Sequence, residues 1–436
     1  MWNKKAQKRL QCIKSKQKGE NKKKKMKKKM AVLVGIAMCA ILLTSPALAS
    51  AGYSKIYGNA NEDEVLDMRD VTYLKLVIFG KKPATTFADA NYDGKISMLD
   101  IGQTKLIILG KEKQLTLVDT ADRTVTVPRP IERIVATGLP DGVIIPVQLG
   151  AADKIVGMSH ETHEYAKAYP SYYPLPDAAP ELKDIPNVGM YNDPNLEVIV
   201  SLKPDVIFTR GYIADLPDKM QENTCIPVVC ICTSPLDADI GVAYRVAGKI
   251  LGEEERAKEL IAYANEKIRE VTEVSSEIPD SERPKVYYVF GGSITRTTSG
   301  TDRLDMAGGI NVAKDLPGLG PTVSKDQIIL WNPDIILIIG AIPPHSVSIE
   351  DVLSDPDLQT VNAVKNHRVY YMHYSPMTLD PAISITVGYY LAKLFHPDKF
   401  EDLDVEEESN EIFERFYGVE GFYTKMLEWS DLYRWD

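Results

Sequence analysis

The amino-acid sequence predicts two α/β lobes with parallel sheets, joined by a single long helix and preceded by a small all-α module. Three observations predict it: a long internal repeat, a shorter repeat of period 30 nearer the N-terminus, and one charged helical stretch between the copies of the long repeat. The long repeat runs from Asn195 to Ile207, closing at Gly211, and returns 129 positions later from Ser324 to Ile336, closing at Gly340. Glu197 and Asp326, Ile199 and Ile328, and Pro204-Asp205 and Pro333-Asp334 fall in the same places. Each copy reads as a helix start, a turn and a buried strand. The acid suits the positive end of the helix dipole. Pro-Asp stops the helix, and the β-branched run after it suits a parallel strand covered on both faces. Two related halves of one chain leave a cleft between them.

At 436 residues the chain has room for two or three folding units. Its first 30 residues carry fourteen Lys or Arg against one acid, Glu20, and an apolar run, Ala31 to Leu43, leads to Ala47-Leu48-Ala49. Residues 1–50 therefore read as an export signal, with an N-terminal membrane anchor as the alternative. Thr44, Ser45 and Pro46 interrupt the apolar run and favour removal. Cys39 has no lipobox-like residues before it. Beyond the leader, 37 basic face 60 acidic side chains, a net of −23. Such a surface repels nucleic acid, so no nucleic-acid partner is expected for this exported chain. Cys225, Cys230 and Cys232 have no zinc-ligand spacing. They read as buried apolar fillers, a Cys225–Cys230 disulfide being the alternative.

Residues 53–113 hold the short repeat. Asp70 to Gly80 aligns with Asp100 to Gly110, each stretch a helix preceded by a twelve-residue loop. The second loop places Asp89, Asn91, Asp93, Gly94, Lys95, Ser97 and Asp100 at positions 1, 3, 5, 6, 7, 9 and 12 of a calcium loop. Oxygen ligands at that spacing wrap one hard cation, and the glycine permits the sharp turn. The first loop offers Asn59, Asn61, Asp63, Val65, Asp67 and Asp70, with Glu64 where glycine belongs. A positive φ at Glu64 would cost about 1 kcal/mol, so the first site is expected to be the poorer. The alternative for both is a solvated acidic loop. The module resembles a type I dockerin, which implies one or two bound calcium ions and a cohesin-like surface partner. Met68-Arg69 and Met98-Leu99 stand where that family usually carries a Ser/Thr pair. A module that caps or anchors the larger protein is the other expectation.

Residues 115–237 form the first expected lobe. Its strands are Ile134 to Ala136, Lys154 to Met158, Val206 to Thr209 and Pro227 to Ile231, with a helix from Gly142 to Leu149. Residues 238–280 supply the linker, with helices Gly241 to Leu251 and Glu253 to Val274. The second is charged on most faces, and its roughly 22 residues would span about 33 Å; it reads as a strut between lobes. The second lobe, 281–400, has strands Val286 to Phe290, Ile335 to Ile339 and Arg368 to Met372. The tail, 401–436, is rich in Glu and aromatic residues and is expected to pack outside as a helix.

Arg133-Ile134-Val135, Asn195 to Asp205, Met306 to Val312, Ser324 to Asp334 and Ala363 to Tyr370 together resemble the class III substrate-binding proteins of siderophore, haem and cobalamin importers. The resemblance implies two Rossmann-like lobes joined by one long helix. It also implies an ABC permease as partner, to which each lobe offers a carboxylate at the positions of Glu197 and Asp326. Asp326 is one methylene shorter than the usual glutamate. Plain helix capping is compatible with the same two acids.

In open parallel sheets ligands bind beyond the carboxyl ends of the strands. That rule selects His160 and His163, Arg210 and Tyr212, Arg296, His345, His373 and Tyr374, each following a predicted strand. Tyr191, in the loop before the first repeat, matches an aromatic that some cobalamin binders place in the cleft. Arginines would grip the anionic groups of a chelate, aromatic faces would cover it, and histidine would complete an iron or cobalt shell. Packing for the tyrosines and solvated turns for the histidines are the plainer alternatives. There is no nucleophile elbow, phosphate loop or His-Glu-x-x-His motif, so a binder rather than an enzyme is expected. The bound species is an iron–siderophore, haem or corrinoid chelate. A surface scaffold acting through the dockerin-like module is the competing reading.

Overall fold

The computed structural model describes residues 53–138, 141–168, 173–211, 213–232, 240–300, 302–318, 320–339, 346–372 and 380–429. The N-terminal module contributes α1 (Met68–Ile78) and α2 (Met98–Ile108), which pack on each other. Each helix opens with a capping box, Asp67 with Asp70 and Ser97 with Asp100. The Asp70 carboxylate is buried and accepts from the amides of Asn61 (3.1 Å) and Asp67 (2.8 Å). Asp100 repeats this with Asn91 (3.2 Å) and Ser97 (2.7 Å). The left-handed residues of the loops are Glu62 (φ 57°), Tyr92 (φ 57°) and Gly94 (φ 87°). Glu64 is not among them, so the backbone cost expected at the first loop does not arise.

A hairpin that the sequence did not reveal, β1 (Gln114–Val118) and β2 (Thr124–Pro128), welds this module to the first lobe. Ile56 bridges antiparallel to Leu117, and Ile56 and Ile107 join the main core. At the hairpin tip the Asp119 carboxylate accepts from the Cys230 amide (3.0 Å), and the Thr120 amide donates to the Cys230 carbonyl (3.1 Å). Cys230 is a buried free thiol, pushed up to about 12 by burial and by Asp119. Cys225 is also free and is exposed at a left-handed helix end, which removes both the disulfide and its role as a buried filler.

The first lobe runs β3 (Ile134–Ala136), α3 (Asp141–Gln148), β4 (Ile155–Met158), α4 (His160–Ala168), α5 (Leu175–Ala178), β5 (Gly189–Met190), β6 (Asp193–Pro194), α6 (Leu196–Leu202), β7 (Val206–Arg210), α7 (Leu216–Thr224) and β8 (Val228–Cys232). The linker is α8 (Ile240–Leu251) and α9 (Glu254–Ser275). The second lobe runs β9 (Lys285–Val289), α10 (Asp302–Ala307), β10 (Ile310–Asn311), α11 (Lys325–Trp331), β11 (Ile335–Ile339), α12 (Ile349–Leu353), α13 (Asn362–Lys365), β12 (Val369–Met372) and α14 (Pro381–Phe395). The tail adds α15 (Val405–Tyr417) and α16 (Phe422–Trp429). Both large sheets are parallel and share one strand order, β4-β3-β7-β8 and β10-β9-β11-β12. The chain therefore changes its direction of travel between the two central strands of each sheet.

The Pro-Asp step of the repeat explains this shared order. The Asp205 carboxylate accepts from the amides of Glu132 and Arg133, both at 2.8 Å, and its own amide donates to the Arg133 carbonyl (2.9 Å). Asp334 does the same with Lys285, accepting from its amide (3.0 Å) and donating to its carbonyl (2.8 Å). Each aspartate thus ties the start of the third strand to the start of the first. Upstream, Asn195 and Ser324 cap their helices through the amides of Val198 and Gln327, both at 3.1 Å.

Two expectations change. Helix α9 is not a solvated strut: Ala257, Leu260, Ile261, Ala264 and Val271 form a buried stripe against α8, α10 and α14. The tail is not an outer layer but part of the core, since Phe413, Phe416, Phe422, Tyr423 and Met426 are no more than 1% exposed. It also closes the lobe junction. Asp380, which caps α14, is fully buried and accepts from Gln148 Nε2 of the first lobe (3.1 Å), Tyr417 of the tail (2.6 Å) and the Ala382 amide (3.0 Å). Tyr244 of α8 donates to Gln148 Oε1.

Burial raises the Asp380 carboxyl to about 6, against the pull of these hydrogen bonds. A folded-state value above the unfolded one means that the folded protein holds the proton more tightly. Stability from this group is therefore full below the unfolded value near 4 and is lost as pH rises to about 6. Asp380→Asn keeps the cap and removes the charge. Between pH 4 and pH 7 its stability relative to the native protein should rise by about 2–3 kcal/mol, as read from urea unfolding at the two pH values.

Candidate functional site

Because both sheets have the same order, each has a crevice beyond the carboxyl ends of its two central strands. Arg210 is the last residue of β7 and lies in the first crevice. It is buried (3% exposed) beneath the segment that leaves β3, where a Cβ on Gly138 would meet its Cγ at 3.4 Å. Arg296 lies in the loop that follows β9, at the carboxyl end of the second sheet. Its guanidinium sits 5.3 Å from the Phe290 ring, and its Nε donates to the Gly320 carbonyl (3.3 Å). Glycines shape that seat. Gly291 has φ 59°, and a Cβ there would stand 2.9 Å from Arg296 Nη1; one on Gly320 would stand 2.8 Å from Nε. The two arginines thus reach the two crevices from different strands, Arg210 from the third strand of its sheet and Arg296 from the loop after the first strand of the other.

The first lobe's rim is held by α4. His160 Nδ1 lies 2.8 Å from Asn187 Nδ2, so the carboxamide donates and the ring proton sits on Nε2. His163 Nδ1 is 3.1 Å from Glu164 Oε1, and this contact holds the Glu164 carboxyl low. His163 also lines a cavity of about 620 Å³ together with Met158, Lys167, Leu182 and Lys183. The half-buried Tyr191 sits at the turn of the β5–β6 hairpin, where its amide donates to Glu161 Oε2 (3.0 Å). Tyr212, His345, His373 and Tyr374 lie outside the described residues.

A second cavity, about 350 Å³, opens where the first turns of α8 and α14 meet α9, with Tyr244, Arg245, Asn265 and Ser384 in its wall. Arg303 of α10 donates to Ser384 Oγ (3.2 Å). Sequence reasoning missed Arg245 and Arg303 because they sit on helices rather than directly after strands. Ser159, which the strand-end rule also takes in, ties Gly138 (2.9 Å) to Thr162 (3.0 Å) through its hydroxyl at the end of β4. Glu197 and Asp326 are both exposed, in the first turns of α6 and α11.

In the N-terminal module Asn59 is fully buried, and its Oδ1 has no partner, while its Nδ2 donates to the carbonyls of Ser54 (2.8 Å) and Asp63 (2.7 Å). Asp89 accepts from the amides of Asp93 (3.1 Å) and Gly94 (2.8 Å). Among the described residues no three His, Cys, Asp or Glu side chains converge closely enough to hold an ion unaided.

Two parallel sheets of one strand order, joined by a helical linker, are the architecture of a two-lobed solute-binding protein. The comparisons agree. Residues 135–376 match the family profile of periplasmic binding proteins, and the chain belongs to that family, the solute-binding proteins of ABC importers. It is 26% identical over 331 residues to the molybdate-binding protein MolA of Haemophilus influenzae, covering 69% of this chain and 90% of that one. It is 27% identical over 179 residues to the vitamin B12-binding protein of Pectobacterium carotovorum, covering 40% of this chain and 64% of that one. Among solved structures it is similar to a periplasmic solute binding protein from Veillonella parvula, at 26% identity and a TM-score of 0.59, over 70% of this chain and 93% of that one. Among the described residues no helix is long and apolar enough to cross a membrane.

Gly291→Ala is expected to cost about 1–2 kcal/mol through the left-handed backbone and to push the Arg296 guanidinium off its seat. Thermal unfolding reads the first effect and a structure of the variant the second.

Proposed function

We propose that the protein captures an anionic metal chelate, an iron–siderophore, haem or corrinoid, between its lobes and delivers it to an ABC permease. The observation that carries this is the placement of Arg210 and Arg296 at equivalent crevices of the two sheets. Two guanidiniums, one on each lobe, suit a ligand that bridges them with carboxylate, catecholate or phosphate oxygens. Arg245 and Arg303 add positive charge near the base. Tyr191 and His160 would cover or ligate its metal, and His163, Tyr212, His345, His373 and Tyr374 are the further candidates from the sequence. Glu197 and Asp326 would meet basic residues of the permease.

The arginines alone would also accept a tetrahedral oxyanion, and the relative MolA is named for molybdate. Calorimetry with ferric catecholate and hydroxamate siderophores, haem, cyanocobalamin and molybdate separates the two. One chelate is expected to bind at micromolar Kd or tighter, with Arg296→Ala weakening it at least tenfold. Binding of molybdate alone would replace the chelate with an oxyanion.

The N-terminal module would hold calcium. Its donors fit a hard cation: Asp89, Asn91, Asp93, Ser97 and Asp100 in the second loop, and Asn59, Asn61, Asp63, Asp67 and Asp70 in the first, with Lys95 and Val65 contributing main-chain carbonyls. The buried, unpartnered Asn59 Oδ1 is the structural support for this. A cohesin-like surface protein remains the proposed partner of the module. Chelation with EDTA should lower the melting temperature by several degrees, and calcium rather than magnesium should restore it; an unchanged melt would remove the ion from the account.

A further inference from the structure

We propose that Leu330 and Val200, beside Asp326 and Glu197, form the apolar centre of a two-footed surface that docks on the importer's membrane permease. The inference rests on the docking role given above to the two acids and adds the contacts that would hold the partner. Leu330 is 77% exposed and Val200 46% exposed. Asp326 and Leu330 are spaced i, i+4 on α11, and Glu197 and Val200 i, i+3 on α6, so each acid shares a helix face with an aliphatic side chain one turn on. The opposite face of each helix is buried through Ile199 or Ile328.

Both feet stand at the cleft mouth. Helix α6 begins where the Asn195 amide donates to the Val188 carbonyl (2.8 Å), and the Val188 amide donates to Met158 at the end of β4 (2.9 Å). Helix α11 begins just after Arg296 bridges to Thr322 and the Val323 amide donates to Thr295 (2.8 Å). One partner touching both feet therefore covers the opening between the lobes.

The feet are also stiff. Arg133 Nη2 donates to the Leu202 carbonyl at the end of α6 (2.7 Å), and Lys325 Nζ pairs with Asp355 and Asp357 (both 2.8 Å) beside α11. Exposed ion pairs by themselves contribute little to association. Binding energy concentrates in apolar side chains that are desolvated at the centre of a contact, with charges around them. A socket that is apolar inside and basic at its rim complements an acid and an aliphatic one turn apart.

The test is binding of the full exported protein to the importer's permease in lipid nanodiscs, followed by interferometry, with melting temperature as the folding control. Leu330→Ser combined with Val200→Ser is expected to weaken binding at least tenfold with no loss of thermal stability. Leu109→Ser, a change at a 65% exposed leucine of the N-terminal module, should leave it unaltered. A benzophenone side chain placed at Leu330 should crosslink to the permease. If the aliphatic pair can be removed without effect while Glu197→Ala with Asp326→Ala weakens binding, the acids dock alone and the proposal fails. If neither pair matters, the docking role itself is wrong.

Discussion

One carboxylate in each lobe organises the rest. Asp205 and Asp334 take the amides that open the first strand of their sheet and return their own amide to the same residue. The third strand can then start only beside the first. The second strand is forced to the far side, and the chain must change direction between β3 and β7 and between β9 and β11. That change of direction opens the crevices in which Arg210 and Arg296 lie. The proline before each aspartate ends the helix, and the residue before the proline, Lys203 or Asn332, takes a left-handed conformation at φ 50° or 47°. Backbone strain there is held by the hydrogen bonds around it.

The two lobes are held together by more than the covalent linker. Helix α9 lays a buried stripe along α8 and α14, and the tail threads back so that Tyr417 meets Asp380 and Gln148. Lys425 of the tail pairs with Asp177 of the first lobe at 2.5 Å. Arg256 of α9 donates to the carbonyls of Gln148 (3.3 Å) and Arg415 (2.6 Å), joining linker, first lobe and tail. A fully buried carboxylate that serves three elements is costly if any partner is lost. The cleft is thus framed by a junction with little freedom to repack. Residues 51–436 are strongly acidic, yet the crevices carry arginines. Local positive charge between walls of low dielectric attracts anions even when the distant surface does not.

Much of the fold was legible in the sequence. The β-branched runs Val206 to Thr209 and Ile335 to Ile339 became central strands, and the charged stretch after Glu253 became a single helix of 22 residues. The strand-end rule selected Arg210 and Arg296, and both lie at the carboxyl ends of their sheets. The hairpin Gln114–Pro128 escaped because its value lies in pairing with Ile56 and Cys230, residues far away in the chain. The tail was misplaced because its glutamates dominate its composition, while its aromatics face a core supplied by α14.

The amino-acid order by itself determined the local and repeated features: where helices start and stop, which runs become buried strands, and where two equivalent acids and two oxygen-rich loops fall. Each of these follows from neighbours within a few residues, through capping, periodicity and turn chemistry. Tertiary structure decided what depends on surfaces meeting. It made Cys225 exposed and Cys230 buried, seated Arg296 among glycines that precede and follow it in the chain, and buried Asp380 between lobes. Burial and charge pairing are set by partners brought together in space, and no local pattern encodes them.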